Sequence, residues 1–557
     1  MPLMPITNPR SAYRLGLVSL WWAALALSAP LAGAQQDIPT LTEVGESAGL
    51  DHRFTGPWEF FVGGGGASFD CNGDRRPDLL LAGGTSAAKL YVNQSSSGGD
   101  LSFVERPVLD SGKPLTKATG AYPINLNNDA HTDVVILRVG SNRLLLGEGD
   151  CRFRDANKEL KFDGGRAWTT SFAATWELGK TFPTLAFGNY VDRRAPGSPF
   201  GTCEDNRLVR PISNEGALPD YADNIALSPS HCTLSILFTD WQGEGRFDLR
   251  VTNDRQYHRG GQEQLWHIPT DGEPYEYTRN DGWEELVIWG MGIAEADLDA
   301  DGRPEYALTS MGDTKLQVLS EDAFEDEPIY VDIAFDAGLT AHRPYTGDTS
   351  KPSTGWHAQF ADVNNDTWHD LFIAKGNVEA MPNFAAYDPD NLLLGSESGR
   401  YREVGDLSGI ALDRRGRGGV IEDFNADGKL DLLVMNREEL PSLFVNHGPL
   451  GAPTPAQGLG NFLRVELDNG AVNPDGIGAS ISVKTGNRYQ TKTVAIGGGH
   501  ASGQLGFTHF GLGQAEVAQV RVKWPETGWS APFQVFANTH VVLNREVGSL
   551  RTWHAID

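Results

Sequence analysis

The chain has 557 residues, too many for a single hydrophobic core, and its 40% apolar and 10% aromatic content is that of folded domains. Its 73 acidic residues against 46 basic ones give a formal net charge of -27, which argues against nucleic acid or an anionic membrane surface as partner. The 65 glycines suit a fold with many tight turns.

Residues 1–34 read as a targeting segment. Arg10 and Arg14 precede an apolar run from Leu15 to Ser28, and Ala32-Gly33-Ala34 is a small-residue cleavage site, so cleavage is expected after Ala34. The run is short for a membrane span. The mature protein is therefore expected to be secreted or periplasmic. In an exported chain the four cysteines predict two disulfides. Cys203 with Cys232 is the preferred pairing, which leaves Cys71 with Cys151.

From there one phrase recurs six times: an acid or amide at positions 1, 3 and 5, an acid at 9, then mostly an apolar strand. The copies supply Asp70/Asn72/Asp74/Asp78, Asn125/Asn127/Asp129/Asp133, Asp240/Gln242/Glu244/Asp248, Asp297/Asp299/Asp301/Glu305, Asp362/Asn364/Asp366/Asp370 and Asp423/Asn425/Asp427/Asp431. Carboxylates spaced by two residues curl around a hard cation, and Ca2+ takes six to eight oxygens at about 2.3–2.6 Å. Each of these loops except that at Asp240 is read as a Ca2+ site of structural role. Gln242 and Glu244 are long for a tight loop, so the Asp240 copy is set apart. An EF-hand is excluded, because it needs Glu at position 12 and helices on both sides, whereas Leu81, Leu308, Ile373 and Val434 stand there in apolar strands. Metal-free Asx turns are the rival reading of any one copy.

The flanks repeat as well. A small-residue strand precedes several loops (Gly63–Ser68, Gly290–Ala296, Gly355–Ala361, Gly416–Ile421), an apolar triplet follows, and a leucine-led strand comes next. A fourth strand opens some repeats, at Leu41–Val44 and Tyr401–Val404. Between the second and third loops, Trp168–Gly188 keeps the flanks but has Trp176, Leu178, Lys180 and Thr184 in the ligand places. With that silent copy the count is seven units of four strands, which predicts an all-β, seven-bladed β-propeller over 35–447, with a solenoid as the structural rival. The small-residue strand is expected nearest the axis, and residues 195–235 are read as a surface insertion. A Gly/Pro-rich linker, 448–460, leads to a small β-rich domain, 461–557.

Catalytic motifs are weak. Gly45-Glu46-Ser47-Ala48-Gly49 matches a hydrolase elbow, but the stretch recurs as a repeat lead-in, at Phe335–Leu339 and Asp406–Ile410, in which the serine position drifts. His357 and His369 bracket the fifth loop without metal-ligand spacing. Trp168, Trp176, Trp241, Trp283, Trp289 and Trp356 are assigned to packing between blades, with a ligand-stacking face as the alternative.

Together the loops and flanks resemble the FG-GAP/VCBS repeats of integrin-α-type propellers. Val251-Thr252-Asn253-Asp254-Arg255 through Gly260–Trp266, and Lys375–Pro382, resemble the cartilage acidic protein family in its bacterial branch. The C-terminal part resembles the ASPIC/UnbV domain in Asp475–Ala479, His509–Gly513 and Val522–Pro525. The resemblance implies an extracellular or periplasmic calcium-binding propeller engaged in adhesion or surface interaction. The family's usual Gly after the third ligand is replaced by Arg75, Ala130 and Thr367, so those turns lack the residue that most easily takes φ > 0. The expected function is a non-enzymatic binding, adhesion or scaffold module whose partner is an extracellular protein or glycan. The alternative is an extracytoplasmic, polysaccharide-active enzyme using the propeller pocket or the cleft against the C-terminal domain.

Overall fold

A computed structural model describes residues 38–195, 202–254, 261–270, 272–324, 326–340, 354–378, 387–449, 459–525 and 527–554. The targeting segment and most of the linker lie outside the described residues. Seven antiparallel sheets of four strands each follow one another along the chain, and two more four-stranded sheets form the C-terminal domain.

Each blade begins with the small-residue strand, innermost, and steps outward. Blade 5 is typical: Gly290–Ala296, Glu305–Ser310, Lys315–Leu319 and Tyr330–Asp332. The acidic loop joins its first strand to its second, as it does in every blade that carries one. Both inner strands are buried on both faces, which is why the second reads as an unbroken apolar run rather than an alternation. Six of the innermost strands shift register at their first paired residue, a bulge that bends them where they near the axis. Neighbouring blades share their cores: Tyr122, Val135 and Leu144 of blade 2 pack with Phe172, Leu185 and Phe187 of blade 3. Burying side chains of this size contributes about 1.5–3 kcal/mol each.

The strand that opens the repeat in sequence belongs to the blade before it. Arg402–Glu403 is the outermost strand of blade 6. Pro39–Glu43 pairs antiparallel with Ser442–Pro449, so the first described strand completes blade 7 and closes the ring. A solenoid is thereby excluded.

Residues 195–235 are not a surface insertion. They hold Asn206–Val209 and Ile225–Leu227, the two outer strands of blade 3, and the start of Thr233–Thr239, the innermost strand of blade 4. The Pro- and Asp-rich connections masked strands that are themselves short. Both expected disulfides form, Cys203–Cys232 between blades 3 and 4 and Cys71–Cys151 between blades 1 and 2. By loop-closure entropy each contributes about 3–5 kcal/mol.

The C-terminal domain is a β-sandwich. Asn461–Asp468, Thr508–Gly513, Thr539–Asn544 and Ser549–Trp553 form one sheet, and Ser480–Thr485, Arg488–Thr493, Val517–Lys523 and Phe533–Phe536 the other. Their inner faces meet in a core of Leu463, Val465, Ile481, Val483, Phe510, Val520 and Val541. The sandwich sits over the loop-bearing face of the propeller. Arg75 of the blade 1 loop pairs with Glu466 at 2.9 Å, and Asn128 of the blade 2 loop accepts from the Asn473 amide at 3.0 Å. Lys523 donates to the Gly243 carbonyl in blade 4 at 3.0 Å, Arg488 to the Thr367 carbonyl in blade 6 at 3.0 Å, and Arg464 is paired with Glu422 of blade 7.

Candidate functional site

Two features meet on the axis: the ring of acidic loops and a segment of the sandwich that enters the channel. Residues 495–505 leave the sandwich after Arg488–Thr493 and bond to the innermost strand of every blade. Gly503 and Gln504 pair in parallel with Ala67 and Ser68 of blade 1. The Ala121 amide of blade 2 donates to Ala501 at 3.3 Å, and the Ala174 amide of blade 3 to Ile496 at 3.1 Å. Gly498 donates to Ile236 of blade 4 at 2.7 Å and Gly499 to Ile293 of blade 5 at 2.6 Å. The His500 amide donates to His357 Nδ1 of blade 6 at 3.0 Å. Gln504 Nε2 donates to Ile421 and Glu422 of blade 7, both at 2.9 Å. The small residues of the innermost strands make room for this backbone. A Cβ on Gly65 would lie 2.0 Å from the Ala501 carbonyl oxygen, and one on Gly418 2.4 Å from Ser502 Oγ.

His500 and His357 are locked as neutral imidazoles. His500 Nε2 accepts from the Gly63 amide at 3.1 Å and His357 Nδ1 accepts from His500, so neither nitrogen carries a proton. Burial, and for His500 the nearby Arg417 guanidinium, lowers His357 to about 4 and His500 to about 3. His369 is also buried, with both ring nitrogens unpartnered. Trp168, Trp241, Trp283 and Trp356 are buried packing residues, as expected of blade contacts. Ser47 sits in an exposed turn with its Oγ on the Val44 carbonyl, not at a strand-to-helix elbow.

Several acidic loops share internal contacts, most fully in blades 1 and 6. The first carboxylate gathers amides from its own loop: Asp70 from Asn72, Gly73 and Arg75, Asp362 from Asp366 and Thr367, Asp423 from Asp427 and Gly428. Position 3 contacts position 5 through Asn72–Asp74, Asn127–Asp129 and Asn364–Asp366. Arg75 and Thr367 adopt φ of 61° and 82°, the conformation the missing glycine would have taken, while Ala130 avoids it.

The acid at position 9 has a role that spacing alone did not disclose. Asp78 accepts from the amides of Cys71 and Asn93, Asp133 from Leu126 and Gly147, Asp370 from Val363 and Gly395, and Asp431 from Phe424 and Asn446. It staples the loop to the third strand of its blade. Burial raises these carboxyls, Asp78 to about 8. Strand-like burial right after position 9 was the available signal. In the Asp240 loop the same oxygens are taken by Trp241, Tyr277 and His267 side chains, a set of donors that leaves little for a cation. In the silent blade 3 loop Arg210 bonds Glu177 instead.

Calcium fits best at blade 5. Asp297, Asp299 and Glu305 each bring a carboxylate oxygen within 4.8 Å of the others, and neither oxygen of Asp297 has a hydrogen-bond partner. Burial, and then the neighbouring acids, raise Asp297 to about 6 and Glu305 to about 8, while Asp301, the fourth expected ligand of this loop, is paired with Arg303. Unpartnered Oδ1 atoms of the buried Asn125 and Asn425 fit the same role in blades 2 and 7. At blade 7, Arg464 of the sandwich already lies 3.4 Å from Asp423.

Between the sandwich and blades 4–7 lies a cavity of about 800 Å³. Asp240, Glu295, Asp297 and Asp301 line its propeller wall, and Ser482, Lys492, Arg521 and Lys523 its sandwich wall.

A ring of seven blades sealed by the axial loop of a C-terminal sandwich defines the class, and residues 469–548 of that sandwich match the family described as ASPIC and UnbV. The chain is similar to cartilage acidic protein 1. It is 24% identical to the human protein and 32% to the mouse protein, each over 269 residues that make up 47% of this chain. The match spans only 37% and 38% of those relatives' own length. Among solved structures, that of BBS1N in complex with ARL6DN superposes with a TM-score of 0.39 at 10% identity, over 73% of this chain and 95% of that one.

Proposed function

We propose that the protein is an exported, calcium-stabilised binding module that holds a ligand or partner against its loop-bearing face, as an adhesion or scaffold component without chemistry of its own. The observation that carries this reading is the filled axis. The channel in which a propeller would house a reaction centre is occupied by residues 495–505, and the recess that remains lies between propeller and sandwich. Calcium's part is structural: Asp297, Asp299 and Glu305 would hold it in blade 5, with Asp70, Asn72, Asp74, Asn125, Asn127, Asp129, Asp362, Asn364, Asp366, Asp423, Asn425 and Asp427 supplying oxygens in the other loops, beside the stapling Asp78, Asp133, Asp370 and Asp431. Bound there, the ion neutralises the clustered carboxylates and tethers the first two strands of the blade.

Two disulfides fit an oxidising, extracytoplasmic compartment, and among the described residues no helix is long and apolar enough to cross a membrane. Export through the 1–34 segment completes the reading. Each site filled to tenfold above its dissociation constant adds about 1.4 kcal/mol to the folded state. Chelation is therefore expected to lower the melting temperature and added calcium to restore it, with a smaller response in Asp297→Ala. A melt indifferent to both would remove calcium from the proposal.

A further inference from the structure

We infer that the recess between propeller and sandwich binds an acidic oligosaccharide, one whose sugars carry carboxylates; this rests on the binding-module reading above. Its volume of about 800 Å³ lies within the range of small-ligand sites, roughly 300–1,000 Å³. What selects the ligand is that the two walls differ in chemistry. The propeller side presents the carboxylates of Asp240, Glu295 and Asp301, the last paired with Arg303 of the same wall, and ionised carboxylates only accept hydrogen bonds. The sandwich side presents Lys492, Arg521 and Lys523, which only donate.

Several groups on these walls are built in place yet unfulfilled. Ser482, 1% exposed, leaves its hydroxyl unpaired, and the buried Nε of Arg521 is likewise unpaired. His509, 6% exposed, leaves Nδ1 free of any partner while its Nε2 is held by Asn365 at 2.6 Å. Buried polar atoms are nearly always satisfied, so such a concentration in one recess marks places where something polar docks. At the rim the Arg521 guanidinium lies over the Trp529 ring at 4.3 Å and near that of Tyr489 at 5.6 Å, which fixes the cation and leaves two half-exposed aromatic faces at the entrance.

A sugar's vicinal hydroxyls donate to a carboxylate wall and its C–H face lies on an aromatic ring. Its carboxylate would accept from Arg521 and from the lysines, whose ammonium groups retain N–H bonds beyond the single carbonyl each one now contacts. A neutral glycan would leave the cationic wall unanswered. An acidic peptide would bring too few donors for the opposite wall and would meet it with like charge. Only a ligand rich in both hydroxyls and carboxylates answers both sides.

The test is calorimetric titration of the full chain, in calcium, with trigalacturonate and trimannuronate, against neutral galactotriose and penta-aspartate. Binding of either uronate trimer is expected, with galactotriose at least about tenfold weaker, the loss expected when a charge-assisted bond worth ~1.5–3 kcal/mol goes unmade. Arg521→Gln and Ser482→Ala should each weaken the uronate while leaving the melting temperature in place, and Arg521→Lys should recover part of the loss. Equal binding of galactotriose, preference for penta-aspartate, or binding of none of the four overturns the inference. Those results leave the calcium-dependent melt standing, so the two proposals fail separately.

Discussion

His357 and His500 show how one proton would undo the centre of the molecule. Each uses a ring nitrogen as acceptor, and each is held far below the ordinary imidazole range by burial. A folded-state pKa below the unfolded value near 6.5 means the unfolded chain takes up the proton first. The stability these groups supply is thus present in full above about pH 6.5 and is lost as pH falls toward 4, by about 1.4 kcal/mol per unit for each group. Buried carboxyls work in the opposite sense: Asp475, raised to about 7 by burial, favours the fold on acidification. The comparison that isolates the imidazole is His357→Gln against the parent protein. The variant should lose less stability between pH 6.5 and 4.5 in denaturant titrations; parallel curves would show that His357 is protonated without cost.

The element that organises the ring, residues 495–505, is the one the sequence disguised. The repeat itself was legible, because oxygen ligands at spacing two followed by Leu79–Leu81, Leu371–Ile373 or Leu432–Val434 leave a periodic trace. So were the strands Gly290–Ala296 and Gly355–Ala361 and both cysteine pairings. Ala495-Ile496-Gly497-Gly498-Gly499-His500-Ala501, by contrast, reads as a loose glycine run. Its contacts are made mostly by main chain, which writes no hydrophobic pattern. Blade 3's outer strands were lost among Pro and Asp for a similar reason: Asn206–Val209 and Ile225–Leu227 are too short to show a period. The role of position 9 was hidden because an acid that accepts amides looks, in sequence, like one that binds metal. The fit of the inserted loop is testable. Gly65→Ala would drive a methyl into the Ala501 carbonyl and is expected to cost about 1–3 kcal/mol. Gly528→Ala, with open space around it, should be neutral in the same thermal melts. Equal behaviour of the two would mean the loop yields without penalty.

Across the whole molecule, closure depends on partners far apart in sequence. Pro39–Glu43 supplies the outer strand of blade 7, pairing with residues some 400 positions later. Removing residues 38–43 would expose the edge of Ser442–Pro449 and the apolar Phe444 behind it. The shortened protein is expected to melt at lower temperature and to self-associate, as size-exclusion chromatography would report; a monomer of parental stability would show that the ring holds without its latch.

A loop translated after the last blade, yet seated at the centre of all seven, also sets the order of assembly. Neighbouring blades can pack through their shared cores as they are made, but the main-chain bonds at the axis can form only once residue 505 exists. A chain ending before that point would leave the inner-strand groups that bond to residues 496–504 without those partners.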